Sequence, residues 1–155
     1  MKNKMRQSVV IFLMFLFAFV VCADETPETS VKNKIATGEL VVAITGFETS
    51  EGEARIAIVN SEVNYDESNN CRQKMLPVQD KKVQYIVKDL EFGEYAVKVF
   101  HDENSNGELD TAMFGIPTEA YGFSNNAKGK FGAPAFSKVA FKFTATGQEI
   151  FIQVE

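Results

Sequence analysis

Residues 40–45 read Leu-Val-Val-Ala-Ile-Thr, and this stretch decides the fold class. Successive side chains of an extended chain point to opposite faces, so apolar residues at every second position predict a strand with one buried face. Here the predicted buried set is Leu40, Val42 and Ile44, and Gly46 ends the run. β-Branched residues favour such a half-buried strand over a helix.

The same two-residue period returns along the rest of the chain, while helical periodicity is nearly absent after residue 23. Strands without alternating helices predict an all-β fold, a single antiparallel Ig-like or transthyretin-like β-sandwich of about seven strands over residues 38–155. The further predicted inward-facing sets are Ala54, Ile56 and Ile58; Val83, Tyr85 and Val87; Tyr95, Val97 and Val99; Val139, Phe141 and Phe143; and Ile150, Ile152 and Val154.

The first 23 residues have the pattern of a secretory signal peptide. Three basic residues precede an uncharged run over residues 9–23, which is too short to span a bilayer core of roughly 30 Å. The run ends in Val21-Cys22-Ala23, with small residues where a signal cleavage site requires them. We therefore expect an exported protein, periplasmic or secreted, with a flexible leader at residues 24–37. An uncleaved anchor and a lipid tether at Cys22 are the alternatives.

Composition excludes several classes of function. The chain has 155 residues, 16 basic and 21 acidic side chains, and a formal net charge of −5, which argues against nucleic-acid binding. Removal of residues 1–23 would leave 132 residues with a net charge of −8, one cysteine, Cys71, and no transmembrane segment. An internal disulfide is then impossible, and the single His101 rules out a site built from several imidazoles.

One acidic stretch is typical of a cation-binding loop. Residues 99–127 contain five acids and no Lys or Arg, and residues 102–110 read Asp-Glu-Asn-Ser-Asn-Gly-Glu-Leu-Asp. Oxygen-bearing side chains at positions 1, 3, 5 and 9, with glycine at position 6, match the first part of an EF-hand calcium loop. The predicted calcium ligands are Asp102, Asn104, Asn106, the carbonyl of Glu108, Asp110, and Glu119 or Glu103 as an additional carboxylate.

The match to an EF-hand is incomplete. Position 12 is Met113, where an EF-hand has a bidentate glutamate, and a strand rather than a helix precedes the loop. Asn106-Gly107 is also a common hairpin turn signal, so a plain hairpin loop and another metal remain alternatives.

Aromatic residues, glycines and amides are mixed over residues 114–136. Such a mixture would suit a sugar or peptide site, but residues of this kind more often plug the open end of a sandwich and hold a long loop in place, and we favour the plug. The candidate ligand-binding residues are Tyr121, Phe123, Asn125, Asn126 and Phe131. An enzyme is not expected, because Asp102 and His101 point to opposite faces of a strand and Ser124 lacks the glycines of a nucleophile elbow.

Residues 100–110, 114–119, 121–127 and 131–136 together resemble the bacterial family called domain of unknown function 2141, with similarity over about residues 39–154. The family usually has two prolines where this chain has Ala133-Pro134. The resemblance implies an exported bacterial protein without an assigned activity. Residues 90–97 are also similar to a hairpin of transthyretin-like and collagen-adhesin B-type sandwiches, which concerns the fold alone.

The leading functional expectation is a non-enzymatic structural or binding module with a calcium loop and an unknown ligand or cell-envelope partner. The alternative is a carrier of small molecules or glycans that uses residues 121–136 as its pocket.

Overall fold

A computed structural model describes residues 35–67, 70–130 and 132–155, which lie in one compact unit. The predicted signal peptide, Cys22, most of the leader and Phe131 lie outside these residues. The elements in chain order are β1 (Thr37–Thr45), β2 (Glu53–Val59), α1 (Glu62–Glu67), β3 (Arg72–Pro77), β4 (Lys82–Glu91), β5 (Gly93–Asp102), β6 (Tyr121–Phe123), α2 (Phe136–Val139), β7 (Phe141–Phe143) and β8 (Gln148–Gln153).

The strands form two sheets, as the all-β prediction requires. One has the order β4-β1-β8, and the other has the order β3-β2-β5-β6, with β7 also paired to β5. The described part of the chain holds eight strands where about seven were predicted, and residues 72–77 and 121–123 form the strands at the two ends of the order β3-β2-β5-β6.

The prediction of a purely antiparallel sandwich is wrong at one pair, since β8 runs parallel to β1. The preceding turn explains the direction. Gly147 donates its N–H to the carbonyl of Glu39 at 2.7 Å, and Glu39 donates to Thr146 Oγ1 at 3.0 Å. The chain therefore enters this sheet beside the beginning of β1 and continues in the same direction.

The main core lies between the two sheets and contains most of the predicted inward-facing residues. Leu40, Val42, Ile44 and Phe143 have no measurable exposure, whereas Tyr85 is only partly buried. Val139 was expected in a strand but lies at the end of α2, where Ala140 donates to the carbonyl of Phe136 at 2.8 Å. The apolar period therefore located the main core, but it wrongly placed Val139 in a strand facing that core.

A second apolar cluster lies on the outer face of the larger sheet. It consists of Val59, Tyr65, Ala96, Phe123 and Val139, and it joins α1 and α2 to β2, β5 and β6. The hydroxyl of Tyr65 donates to the carbonyl of Pro134 at 2.9 Å. Burial and the nearby Asp66 raise the pKa of Tyr65 to about 12. The two helices cover part of this outer face, and the loop after β5 lies near another part.

Candidate functional site

The predicted calcium loop begins at Asp102, the last residue of β5. Asp102 and Arg55 lie on the outer face of the larger sheet, where β5 pairs with β2. The side chain of Asp102 has no exposed surface, although residues 103–108 are exposed. This burial makes Asp102 the fixed end of the loop.

Three donors satisfy the carboxylate of Asp102. Arg55 Nε lies 2.5 Å from Oδ2, which also accepts the N–H of Gly107 at 2.9 Å, and Oδ1 accepts the N–H of Asn106 at 3.0 Å. Burial alone would raise the pKa of Asp102, but these hydrogen bonds and the charge of Arg55 outweigh it and lower the pKa below its ordinary value. Asp102 is therefore held as a carboxylate.

The backbone conformation favours glycine at position 107, which lies against Arg55. Its φ is +92°, which lies in the left-handed region that favours glycine, and an added Cβ would lie 3.5 Å from the Arg55 guanidinium. The loop thus turns directly against the cation that binds Asp102.

The remaining side chains of the loop converge on Asp110. Asn104 Oδ1 accepts the N–H of Asn106 at 2.9 Å, and Asn106 Oδ1 accepts the N–H of Glu108 at 2.8 Å. The amide nitrogens of Asn104 and Asn106 then donate to the two oxygens of Asp110 at 2.6 and 3.1 Å. The predicted positions 3, 5 and 9 are therefore brought together, in a loop whose polar groups already bind one another.

Glu119 joins the two ends of the loop rather than pointing into solvent. One carboxylate oxygen accepts the N–H of Glu103 at 3.0 Å and the other accepts the N–H of Asp110 at 2.9 Å. Only 8% of Glu119 is exposed. Glu103 turns toward His101 Nδ1, 3.3 Å away, and Glu108 is exposed. Glu119 is thus the acid, of the two considered, that contacts the loop.

These contacts define what the loop can bind. Within residues 35–67, 70–130 and 132–155, no three His, Cys, Asp or Glu side chains are grouped closely enough to hold a metal ion by themselves. A hard cation here would depend on amide and main-chain oxygens in addition to carboxylates. Oδ1 of Asn104 and Oδ1 of Asn106 each accept one N–H and keep a second lone pair.

Arg55 belongs to the candidate site, and sequence reasoning missed it. Arg55 lies 47 positions before Asp102. The alternating pattern of β2 indicated only that the Arg55 side chain lies on the outer face of the strand. Arg55 also contacts Glu53 Oε1 through a terminal nitrogen at 2.7 Å. No local spacing pattern could have paired it with the loop, since strand register brings the two together.

The amides of the aromatic segment bind the main chain. Asn125 Nδ2 contacts the carbonyls of Lys138 and Ala140 at 3.1 and 2.9 Å, and Asn126 Oδ1 accepts the N–H of Gln153 at 2.8 Å. Both asparagines have positive φ, as short polar residues tolerate. In this conformation their side chains tie the segment to neighbouring elements.

Tyr121 and Phe123 line two depressions. A smaller one of about 350 Å³ also includes Asn126, Lys128 and Glu155. The larger one, about 640 Å³, follows the outer face of the larger sheet, and we call it the groove. The groove is lined by Arg55, Ile56, Ala57, Val59, Cys71, Gln73, Lys74, Met75, Lys98, Val99, Phe100, Gly107, Leu109, Tyr121 and Phe123.

His101 and Ser124 bind different partners. His101 Nε2 lies 2.7 Å from the carbonyl of Glu51, and because a carbonyl only accepts, this nitrogen carries the proton. Ser124 Oγ donates to the carbonyl of Val139 at 2.6 Å and accepts the N–H of Val97 at 2.9 Å. The structure thus places the imidazole in a hydrogen bond near the end of β5.

No helix in the described part of the chain is long and apolar enough to cross a membrane. Residues 42–151 match the family model described as "Uncharacterized protein conserved in bacteria (DUF2141)". This match confirms the resemblance seen in the loop and aromatic motifs. No curated protein and no solved structure matches the chain significantly.

Proposed function

We propose that this chain, which belongs to the bacterial DUF2141 family, is an exported, non-enzymatic binding or structural module whose loop at residues 102–110 binds calcium. The observation that carries the proposal is the convergence of Asn104 and Asn106 on both oxygens of Asp110. These side chains come from alternate positions of one short loop. Few rearrangements are then needed to direct their oxygens at a common ion.

The same contacts predict a modest affinity. A calcium ion would replace the two amide-to-carboxylate hydrogen bonds of Asp110, and it would compete with Arg55 for the charge of Asp102. The oxygens of Glu119 could bind calcium only if their hydrogen bonds to two main-chain N–H groups broke. We therefore expect a dissociation constant of roughly 10⁻⁴–10⁻³ M, as for extracellular calcium modules.

A calcium titration tests the loop. The full chain is expressed with its own leader, and the exported product is purified and melted with increasing calcium. At ten times the dissociation constant, ligand linkage adds about 1.4 kcal/mol of stability. Asp110→Asn should remove most of this gain, whereas Asp80→Asn, which changes an exposed acid with φ +49° outside the loop, should keep it.

Two results would contradict the calcium proposal. One is an unchanged melting temperature at about 10 mM calcium, ten times the highest expected dissociation constant, and the other is an equal calcium shift in the Asp110→Asn variant. Magnesium serves as a further control, because it requires a tighter octahedral site and keeps its water ligands.

Export is proposed from the first 23 residues and is tested on the same preparation. The intact mass of the product should equal that of residues 24–155. A mass increased by acyl chains on a product beginning at Cys22 would indicate a lipid tether instead, and recovery of the uncut chain would contradict cleavage.

The groove beside Tyr121 and Phe123 favours a second candidate, a carrier of small molecules or glycans. Its volume of about 640 Å³ falls within the range of about 300–1,000 Å³ for ligand pockets. Binding of a small apolar or sugar ligand, lost in Tyr121→Ala, would support this candidate over a purely structural module.

A further inference from the structure

An apolar turn follows the loop directly, and we call residues 111–117 the finger. Ala112 donates its N–H to the carbonyl of Ile116 at 2.7 Å, and its own carbonyl accepts the N–H of Gly115 at 3.2 Å. Pro117 has no N–H group. The finger therefore satisfies part of its main chain internally, which lowers the cost of moving this turn out of water.

Three large apolar side chains of the finger are exposed. Met113 is 77% exposed, Phe114 93% and Ile116 62%. Phe114 also has φ +66°, a left-handed conformation that is uncommon for a bulky residue. Backbone outliers of this kind are concentrated at functional positions. Exposed apolar side chains grouped on one turn therefore indicate a surface that contacts an apolar partner.

The finger presents no charge of its own. Residues 111–117 contain no acidic or basic side chain. The oxygens of the preceding acid, Asp110, accept the side-chain amides of Asn104 and Asn106. Only 8% of the next acid, Glu119, is exposed. The apolar tip can therefore leave water without desolvating an ion, whereas the rim of a typical protein interface is polar.

The area of the finger favours a lipid surface over a protein partner. A Phe side chain buries about 150–250 Å², so the three exposed side chains together offer roughly 400 Å². A stable protein interface needs about 800 Å² from each partner. At about 30 Å² per methylene group, the finger corresponds instead to an acyl chain of about 13 carbons. One such chain is enough for weak, reversible membrane binding.

We propose that the finger inserts into the surface of a lipid bilayer of low net charge. The chain has a formal net charge of −5, or −8 without residues 1–23, so an anionic surface would repel it. The area gives an association constant of roughly 10³–10⁴ M⁻¹ for accessible lipid, which provides one of the two signals that stable membrane attachment requires. This inference rests on the binding-module part of the proposed function and not on calcium.

Sedimentation with phosphatidylcholine vesicles in EDTA tests the finger. The exported product, shown by its mass to carry no acyl chain, should be half bound between roughly 0.1 and 1 mM accessible lipid. Phe114→Asn should weaken binding at least tenfold, because asparagine tolerates positive φ and only the apolar ring is lost. Phe151→Thr is the matched control, since Phe151 is 64% exposed on β8, and it should bind as wild type does.

A tryptophan probe locates the contact. The chain contains no Trp, so Phe114→Trp and Phe151→Trp each introduce a single fluorophore. The emission of Phe114→Trp should shift to the blue on phosphatidylcholine vesicles and be quenched by brominated phosphatidylcholine. Phe151→Trp should show neither effect. This pair requires no loss of binding, so it decides the proposal even where Phe114→Asn folds poorly.

Four results overturn the proposal. One is a wild-type chain that stays unbound at about 10 mM lipid, ten times the highest concentration expected for half-binding. The second is equal binding by a folded Phe114→Asn, and the third is a Phe114→Trp emission that vesicles leave unchanged. The fourth is tighter binding to phosphatidylglycerol vesicles, which would mean that basic groups and not the finger contact the lipid.

The same variants separate lipid from protein as the occupant. Self-association without lipid that is lost in Phe114→Asn, together with no vesicle binding, would identify a second copy of the chain and exclude the bilayer. A failed calcium titration leaves the lipid proposal standing, because vesicle binding is measured in EDTA. Failed vesicle binding likewise leaves the calcium loop standing.

Discussion

Replacing Arg55 with methionine tests how the loop is held to the sheet. The change keeps an apolar stem of similar length and removes the guanidinium that contacts Asp102 Oδ2 at 2.5 Å. Asp102 remains buried, with the N–H groups of Asn106 and Gly107 as its other donors. The variant therefore leaves a buried carboxylate without its counter-charge.

The size of the loss follows from burial. Removing one partner of a buried ion pair costs about 3–5 kcal/mol, and a hydrogen bond to a charged group contributes about 1.5–3 kcal/mol. Arg55 is 26% exposed, so water can reach part of the gap, and two main-chain donors remain. We expect the free energy of unfolding to fall by about 2–3 kcal/mol, which lowers the melting temperature by roughly 8–15 °C.

The loss should depend on pH. The pKa of Asp102 in the folded protein is below its ordinary value of 3.8, so its ionised contacts stabilise the fold above that value. This contribution disappears as the pH falls through the folded pKa. The difference between wild type and Arg55→Met should therefore be full at about pH 7 and should shrink in acid, as Asp102 becomes protonated in both proteins.

Urea unfolding at neutral and acid pH measures both effects, with Arg72→Met as the matched control. Arg72 is exposed and donates to the carbonyl of Lys88, so its loss should cost less than about 1 kcal/mol. A double-mutant cycle with Asp102→Asn should give a coupling energy above about 0.5 kcal/mol. A loss in Arg55→Met no larger than in the control, or a loss that is equal at all pH values, would refute the reasoning.

Two further substitutions test the segment after β6. Ser124→Ala removes the acceptor for the buried N–H of Val97, so it should lower the free energy of unfolding by about 1–3 kcal/mol. A stability from thermal melting within about 0.5 kcal/mol of wild type would contradict this role. Asn125→Ala and Asn125→Gly both remove two hydrogen bonds, but only the first places an alanine at φ +61°. Asn125→Ala should therefore lower the free energy of unfolding by about 1 kcal/mol more than Asn125→Gly does. Equal losses would show that φ is unimportant at this position.

The sequence predicted which residues form the main core but not how every strand is arranged. A two-residue period shows which face of a strand is buried, and Leu40, Ile56 and Val97 are buried as expected. It contains no information about which strand lies alongside or in which direction, so the parallel pairing of β1 with β8 was missed. Val139 was placed in a strand because it alternates with Phe141 and Phe143. The last apolar residue of a helix that precedes a strand fits the same pattern.

The loop shows a similar limit. Spacing predicted that Asn104, Asn106 and Asp110 would converge, and their side chains do contact one another. Spacing could not predict that a guanidinium from β2 would bind Asp102, because the register of β2 and β5 creates that contact. Long-range pairing by sheets is therefore the part of this site that the linear sequence does not display.

Charge density in the acidic stretch also overstates the number of carboxylates that a cation can use. The buried carboxylate of Asp102 binds Arg55 and two N–H groups. Both carboxylate oxygens of Glu119 accept main-chain N–H groups. Asp110 is the predicted carboxylate ligand whose oxygens bind only side-chain amides, which rotate at lower cost than a backbone moves. If calcium binds, the calcium-dependent gain in stability should thus depend most on Asp110. Asp102 and Glu119 should instead determine whether the loop folds at all, with or without the ion.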